Sequence, residues 1–179
     1  MTATPASVLD EFRLQARVAF SWLEATVSDV TAEQALWQPP GRANTIAGTY
    51  THIVRNIDED INQRLFRRPM LNEGTWKGRT GLVPGRTDWE QGPEVDWQAL
   101  RAYGRAMSDF AIATLDAMTE DDLELVADLS TPDIAVWHGS DVIRLTVSYH
   151  VRLHGGEIAC LKGLQGAKGY LSGLDTYMP

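Results

Sequence analysis

Apolar residues recur every three or four positions in four stretches of the chain, which is the spacing of one buried helix face. The first two stretches predict helices over roughly residues 6 to 28 and about 45 to 66. The third begins at Trp97 and ends near Met118, and the fourth opens near Ser140 or Asp141 and ends near Leu164. Strand-like alternation is weak, and its best candidate, residues 133–138, is short. The pattern predicts an all-α four-helix bundle in one domain spanning residues 1–179.

A long loop separates the second and third predicted helices. Residues 67–95 contain five glycines and three prolines, and they show no helical spacing. Loops of this length in compact domains tend to be functional or disordered. Trp76 and Trp89 lie within this loop, and two large aromatic side chains predict that the loop packs onto the helices.

Composition narrows the kind of partner. The 179 residues carry a net charge of −8, with 16 Lys and Arg against 24 Asp and Glu. Binding to nucleic acid or to an anionic membrane needs clustered positive charge, so we expect neither partner. The amino terminus lacks a basic start followed by an apolar run, and no stretch approaches a membrane span, so we expect no signal peptide or anchor. The single cysteine, Cys160, fits a cytoplasmic protein.

Two of the four histidines lie one helical turn apart on the fourth predicted helix. At 100° per residue, His154 projects about 40° from His150, and Glu157 projects about 20° to the other side. All three side chains then face the bundle interior, where two imidazoles at this spacing can bind one metal ion. The alternative is a pair of core histidines with ordinary hydrogen-bond partners. A third ligand would favour the metal, and His52 and His138 are the candidates.

Neighbouring residues of the fourth helix have several interpretations. Glu157 is a candidate catalytic residue, because it can act as a general base, as a fourth ligand, or as the anchor of a ligand imidazole. Its alternative is a surface charge paired with Arg152 or Lys162. Cys160 projects to a different side of the helix, so we expect a buried, inert thiol.

The order of two motifs resembles the DinB-like superfamily of bacterial four-helix bundles. The first motif is "WQPPGRANTIAGTYTHIV" around the second helix, and the other is "YHVRLHGGEI" in the last helix. The likeness extends over nearly the whole chain. It implies a divalent metal ion held by His52, His150 and His154. Zinc or nickel is expected first, and iron is a further option.

Helical phase alone does not place His52 in a site. It projects nearly opposite the centre of the apolar stripe of the second helix, beside small and polar residues that include Asn56 and Glu59. The resemblance implies that this polar side faces the metal, with Asn56 and Glu59 near the ligands. The apolar stripe then needs a second cover. Either the four helices of one chain or a partner chain can supply that cover, and we expect a homodimer with helices at the interface.

The resemblance also implies an activity. Members of this superfamily include metal-dependent thiol transferases and a mycothiol-dependent maleylpyruvate isomerase. We therefore expect a metal-dependent enzyme that acts on a small molecule with a low-molecular-weight thiol, of the mycothiol or bacillithiol type, as cosubstrate. The alternatives are a metal-dependent hydrolase and a metal-stabilised bundle that binds a ligand or partner without catalysis.

Overall fold

The structure is a computed structural model that describes residues 7–129 and 136–170. Within these ranges the chain forms helices and turns, with no strand longer than an isolated bridge between Val126 and His138. The α-helices are α1 Val8–Val27, α2 Ala32–Leu36, α3 Ile46–Asp58, α4 Trp97–Ala117, α5 Gly139–Val142 and α6 Val151–Leu164. The all-α prediction is confirmed. The predicted strand at 133–138 lies partly outside the described residues, and no described helix is long and apolar enough to cross a membrane.

Two of the predicted helices contain π-helical turns. The first π segment, Glu59–Leu65, continues α3, and the second π segment, Ile143–His150, joins α5 to α6. A π-helix closes its hydrogen bonds between residues five apart, so its side chains rotate less per residue than those of an α-helix. The helical phase predicted for the residues before His150 is therefore approximate, and the second π segment ends at that histidine.

The four longest α-helices pack around one core. Both α1 and α3 contact α4 and α6, so each helix has two neighbours. Short 3-10 helices at Leu71–Glu73, Asp88–Glu90 and Glu120–Glu124 lie in the connections. Many of the largest side chains that are almost fully buried come from α3, α4 and α6, and they include Ile53, Trp97, Tyr103 and Ile158. Helix α1 contributes smaller buried residues, such as Ala16 and Val27.

The apolar stripe of α3 is covered by the same chain. None of its side chains is more than 2% exposed: Ile46, Tyr50, Ile53, Val54, Ile57 and Ile61. The helices of one chain therefore supply the cover for which a partner chain was expected. The homodimer stays a prediction, but this reason for it no longer holds.

Side-chain caps fix where the helices begin. The hydroxyl of Thr45 accepts a hydrogen bond from the Gly48 amide at 2.9 Å and so caps the start of α3. The apolar spacing did not predict helix α2, which lies between the first two predicted helices. Thr31 and Gln34 form a reciprocal capping box there, which is the local signal for this short helix.

Asp58, at the end of α3, ties the start of the long loop to the core. Its carboxylate is fully buried and accepts hydrogen bonds from the backbone amides of Leu71 and Asn72, both at 2.9 Å. The Tyr103 hydroxyl of α4 donates to it at 2.6 Å, and the Asn62 side chain donates at 2.7 Å. One buried carboxylate thus joins α3, α4 and the loop that leads towards residues 88–90.

We predict that replacement of Asp58 by alanine destabilises the protein strongly. The change leaves the Tyr103 hydroxyl and two backbone amides buried without an acceptor, which costs roughly 3 kcal/mol or more in total. Urea unfolding followed by circular dichroism measures the loss. Replacement of the exposed Asp121 by alanine is the control and should change stability by about 0.5 kcal/mol or less. Equal effects of the two substitutions would contradict the anchoring role of Asp58.

Candidate metal centre

Three histidines converge at one point, one from α3 and two from the continuous helical stretch formed by the second π segment and α6. His52 lies on α3, His150 ends the second π segment, and His154 lies one turn into α6. One ring nitrogen from each falls within 4.8 Å of the others, and the Nε2 atoms of His52 and His150 are 3.0 Å apart. The structure therefore brings together His52 of α3 and the pair His150 and His154, which were expected from the last predicted helix.

The rings form a compact, partly open cluster. The ring centroids are separated by 4.5 to 5.0 Å, and all three pairs meet edge to face. The side chains of His52 and His154 are 24% and 13% exposed. The cluster is therefore partly accessible to solvent.

Two carboxylates select the tautomers of two of the histidines. Nδ1 of His52 lies 3.3 Å from Oδ2 of Asp88, and Nδ1 of His154 lies 2.8 Å from Oε2 of Glu157. An ionised carboxylate only accepts hydrogen bonds, so each Nδ1 carries the proton. The lone pair of each neutral ring is then on Nε2. Hydrogen bonds of this type orient histidine ligands and increase their basicity at metal sites.

Asp88 was not predicted from the sequence. It lies in the long loop, 36 residues from His52, where no periodicity relates it to a helix face. Its other oxygen accepts a hydrogen bond from Nη1 of Arg55 at 2.5 Å. Burial raises the pKa of Asp88, but the hydrogen bond with His52 and the charge of Arg55 outweigh burial, so the pKa lies below its ordinary value. Asp88 is therefore ionised at neutral pH and can hold the His52 proton.

The loop that carries Asp88 covers the cluster. The ring of Trp89 lies 4.2 Å from the His52 ring and 5.9 Å from the His154 ring, measured between centroids. Gly48 makes this approach feasible, since a Cβ at that position would lie 3.3 Å from the Asp88 carbonyl oxygen. Trp76 packs against the core near Tyr103. Both tryptophans thus pack onto the helices, as the sequence predicted.

The surroundings of His150 favour its neutral form. Burial, followed by the positive charge that His154 and His52 carry when protonated, lowers the pKa of His150 to about 3. Its Nδ1 is buried and has no hydrogen-bond partner among the described residues. An uncharged imidazole with a free nitrogen lone pair is the form that binds a metal ion.

The three residues fit a divalent metal ion. With metal–nitrogen bonds of about 2.0–2.1 Å, nitrogens that share an ion lie about 3.0–3.4 Å apart. The 3.0 Å separation of the His52 and His150 nitrogens fits this range, and the full set within 4.8 Å needs only a modest ring movement. Imidazole donors suit zinc, nickel and iron alike, so the donor set does not identify the metal.

The other candidate residues do not belong to the three-histidine group. Glu157 is hydrogen-bonded to His154, which agrees with its interpretation as the anchor of an imidazole. Glu157 does not form the alternative ion pair with Arg152 or Lys162. Lys162 is buried against Asp29, and Arg152 contacts the Gln15 carbonyl.

Three further residues from the sequence analysis do not join the cluster. Glu59 pairs with Arg64, and no hydrogen bond between described residues links Asn56 to the histidines. His138 lies at the start of α5 and is not part of the three-histidine group. The structure therefore assigns the third position to His52 rather than His138.

The prediction for Cys160 is wrong. The thiol is exposed on α6 rather than buried. It lines a cavity of about 310 Å³ together with Glu157 and Leu164. Cys160 lies on the solvent-facing side of α6, although its neighbours Ala159 and Leu161 are buried.

The helical fold of the described residues and the partly covered three-histidine cluster are the features of a candidate helical metalloprotein. The chain belongs to the DinB superfamily, whose family model matches residues 15–158. This range includes all three histidines and both carboxylates that orient them. No curated protein matches the chain significantly.

We predict that replacement of Asp88 by asparagine weakens metal binding roughly 10–100-fold, the usual effect of losing such a partner. The amide keeps the size of the carboxylate but removes the charge that increases the basicity of His52. Competition with a chromophoric chelator measures the affinity. Replacement of the exposed loop residue Glu73 by glutamine is the control, and it should leave the affinity unchanged. Identical affinities for both variants would show that Asp88 does not support the site.

A second prediction concerns acid stability in the absence of metal. His150 has an ordinary pKa of 6.5 when unfolded and about 3 when folded, so between these values only the unfolded state binds the proton. The stability contributed by the neutral ring is complete above about pH 6.5 and declines as the pH falls. We expect the melting temperature of the metal-free protein to drop between pH 7 and pH 5.

The control is the His150→Phe variant, which removes the titrating ring and fills the same buried space. Its melting temperature should decrease less over the same pH interval. Thermal unfolding followed by circular dichroism gives both slopes. Parallel curves for the two proteins would contradict the burial of a neutral His150.

Proposed function

We propose that the protein is a metal-dependent enzyme with a four-helix-bundle scaffold, in which His52, His150 and His154 hold one divalent ion. The proposed chemistry is transfer or isomerisation with a low-molecular-weight thiol of the mycothiol or bacillithiol type as cosubstrate. A single observation carries the proposal. Two of three clustered imidazoles have their Nδ1 atoms engaged by carboxylates, which leaves their Nε2 lone pairs free for an ion.

The arrangement supports a catalytic rather than a closed structural site. Catalytic metal sites have three protein ligands and one open position, whereas structural sites have four. Among the described residues, no fourth histidine, cysteine or carboxylate belongs to the group. A divalent ion bound there would supply Lewis acidity that lowers the pKa of a coordinated thiol or water.

The chain's own residues hold and shield this centre. Asp88 and Glu157 orient His52 and His154, so the ligands are fixed before a substrate arrives. Trp89 lies over two of the rings and excludes water from that side. The cavity beside Glu157 offers room of about 310 Å³ next to the His154 anchor, which is the size of a small ligand site.

Two other functions use the same residues. A metal-dependent hydrolase would act on water in place of the thiol, and the open position favours it equally. A binding module would use the ion only to hold α3 against the last helix. The large apolar core argues against dependence on metal for folding, since it already joins all four long helices.

We predict that protein purified without added metal contains about one divalent ion per chain, and that His154→Ala loses it. Elemental analysis of both proteins measures this. His138→Ala is the matched control, because it removes a histidine outside the cluster and should retain the ion. Full metal content in His154→Ala would refute the ligand assignment.

Chelation separates the catalytic function from the scaffold function. On the same metal-free sample, we expect circular dichroism to show most of the helicity and a panel of thiol and ester substrates to show no turnover. The melting temperature should also fall, because an ion bound only by the native state stabilises it by mass action. Loss of most helical signal would favour the scaffold. Intact helicity with no activity in either form would favour the binding module.

A further inference from the structure

A second cavity lies on the side of α3 opposite the histidines. It has a volume of about 290 Å³ and opens between α1 and α4. Phe20, Leu23 and Ile112 form its apolar walls, and Tyr50 forms part of its floor. Tyr50 and His52 are two residues apart on α3, which places their side chains about 200° apart around the helix. The cavity is thus separate from the candidate metal centre.

The floor of this cavity carries a polar group without a partner. Tyr50 is only 2% exposed, and none of the hydrogen bonds between described residues involves its hydroxyl. Its oxygen is not among the fully buried polar atoms that lack a partner, so it faces the open space of the cavity. Tyrosine hydroxyls in such a position normally find a hydrogen-bond partner. The phenol is neutral at physiological pH and can donate one hydrogen bond. A ligand or solvent in the cavity is the remaining source of an acceptor.

The helix opposite Tyr50 is built to let the hydroxyl reach this position. A Cβ on Gly104, in the middle of α4, would overlap the Tyr50 hydroxyl. Glycine weakens a helix interior relative to alanine, so its presence there needs a reason in packing. The reason is the passage of the phenol between α3 and α4 to the floor of the cavity.

The rim provides a positive charge with spare donors. Nη1 of Arg105 lies 3.5 Å from Oε1 of Glu24, at the limit of a hydrogen bond, while Arg101 engages the same oxygen at 2.5 Å. A guanidinium has five N–H donors, so Arg105 retains most of its capacity. Arg17, by contrast, is held by both carboxylate oxygens of Asp116.

We propose that this cavity binds a small organic carboxylate with an apolar ring or chain. The carboxylate accepts hydrogen bonds from the Tyr50 hydroxyl and from Arg105, and the apolar part lies against Phe20, Leu23 and Ile112. The volume is at the lower end of the range for ligand pockets, which limits the ligand to about one aromatic ring with a short acidic chain. Asp109 also lines the rim, so a dianion is disfavoured relative to a monocarboxylate.

Phenylacetate is a suitable probe, and phenylacetamide is its uncharged control. Titrations of metal-free protein followed by two-dimensional amide NMR report the site through the Gly104 amide, which lies beside Tyr50. We expect a saturable shift with phenylacetate and an at least fivefold weaker affinity with phenylacetamide. Tyr50→Phe and Arg105→Gln should each weaken phenylacetate at least fivefold. Tyr50→Phe should not lower the melting temperature, because the hydroxyl has no partner to lose.

His154→Ala distinguishes this cavity from the histidine cluster, where a carboxylate could also bind. In this variant the Gly104 shift and the affinity should be unchanged. The proposal is overturned if phenylacetate gives no saturable shift at Gly104, if Tyr50→Phe binds it as tightly as the parent protein, or if His154→Ala abolishes the shift. A Tyr50→Phe variant that melts lower with no carboxylate binding in the parent would indicate a bound water only.

Discussion

The hydrogen bond between Asp88 and His52 is the contact on which the site depends. It joins the 3-10 helix Asp88–Glu90 of the long loop to α3 and fixes the proton of His52 on Nδ1. The Nε2 atom of His52 then carries the lone pair that can bind a metal ion, and it lies 3.0 Å from Nε2 of His150. The same loop position brings Trp89 over the cluster. Without this contact, His52 would lack the carboxylate that holds its proton on Nδ1.

Helix α3 is central because both of its sides are used. One side presents His52 to the last helix, and the other fills the core with its apolar stripe and extends Tyr50 towards α1 and α4. Asp58 at its end anchors the loop that returns to the site through residues 88–90. The two glycines that matter most, Gly48 and Gly104, both lie where another group approaches a helix closely. The proposed metal centre and the proposed carboxylate cavity are therefore opposite sides of one element.

Much of the fold was predictable because the four long helices have strong apolar periodicity and clear capping residues. The pair His150 and His154 followed from spacing alone. His52 did not, since its helical phase indicated a surface residue and only the family resemblance placed it in the site. The π-helical turns were not predictable, because the register of their hydrogen bonds depends on packing across the core. Such packing includes the buried hydrogen bond between Thr146 and Asp60, which joins the two π segments.

Asp88 and Cys160 show where sequence reasoning fails for physical reasons. Asp88 comes from a loop, and a loop has no period from which to infer the direction of a side chain. Cys160 was expected to be buried because free cysteines usually are, but it lies on the solvent-facing side of α6, between the buried residues Ala159 and Leu161. In both cases the tertiary position, rather than the local pattern, determines what the residue contacts.

X-ray absorption spectroscopy of the metal-loaded protein tests the central claim most directly. We predict three imidazole nitrogens about 2.0–2.1 Å from the ion, with the remaining coordination supplied by a light atom from water or buffer. His52→Ala should lower the imidazole count to two. A sulfur scatterer near 2.3 Å, or an unchanged imidazole count in His52→Ala, would contradict the assignment of His52, His150 and His154 as the ligands.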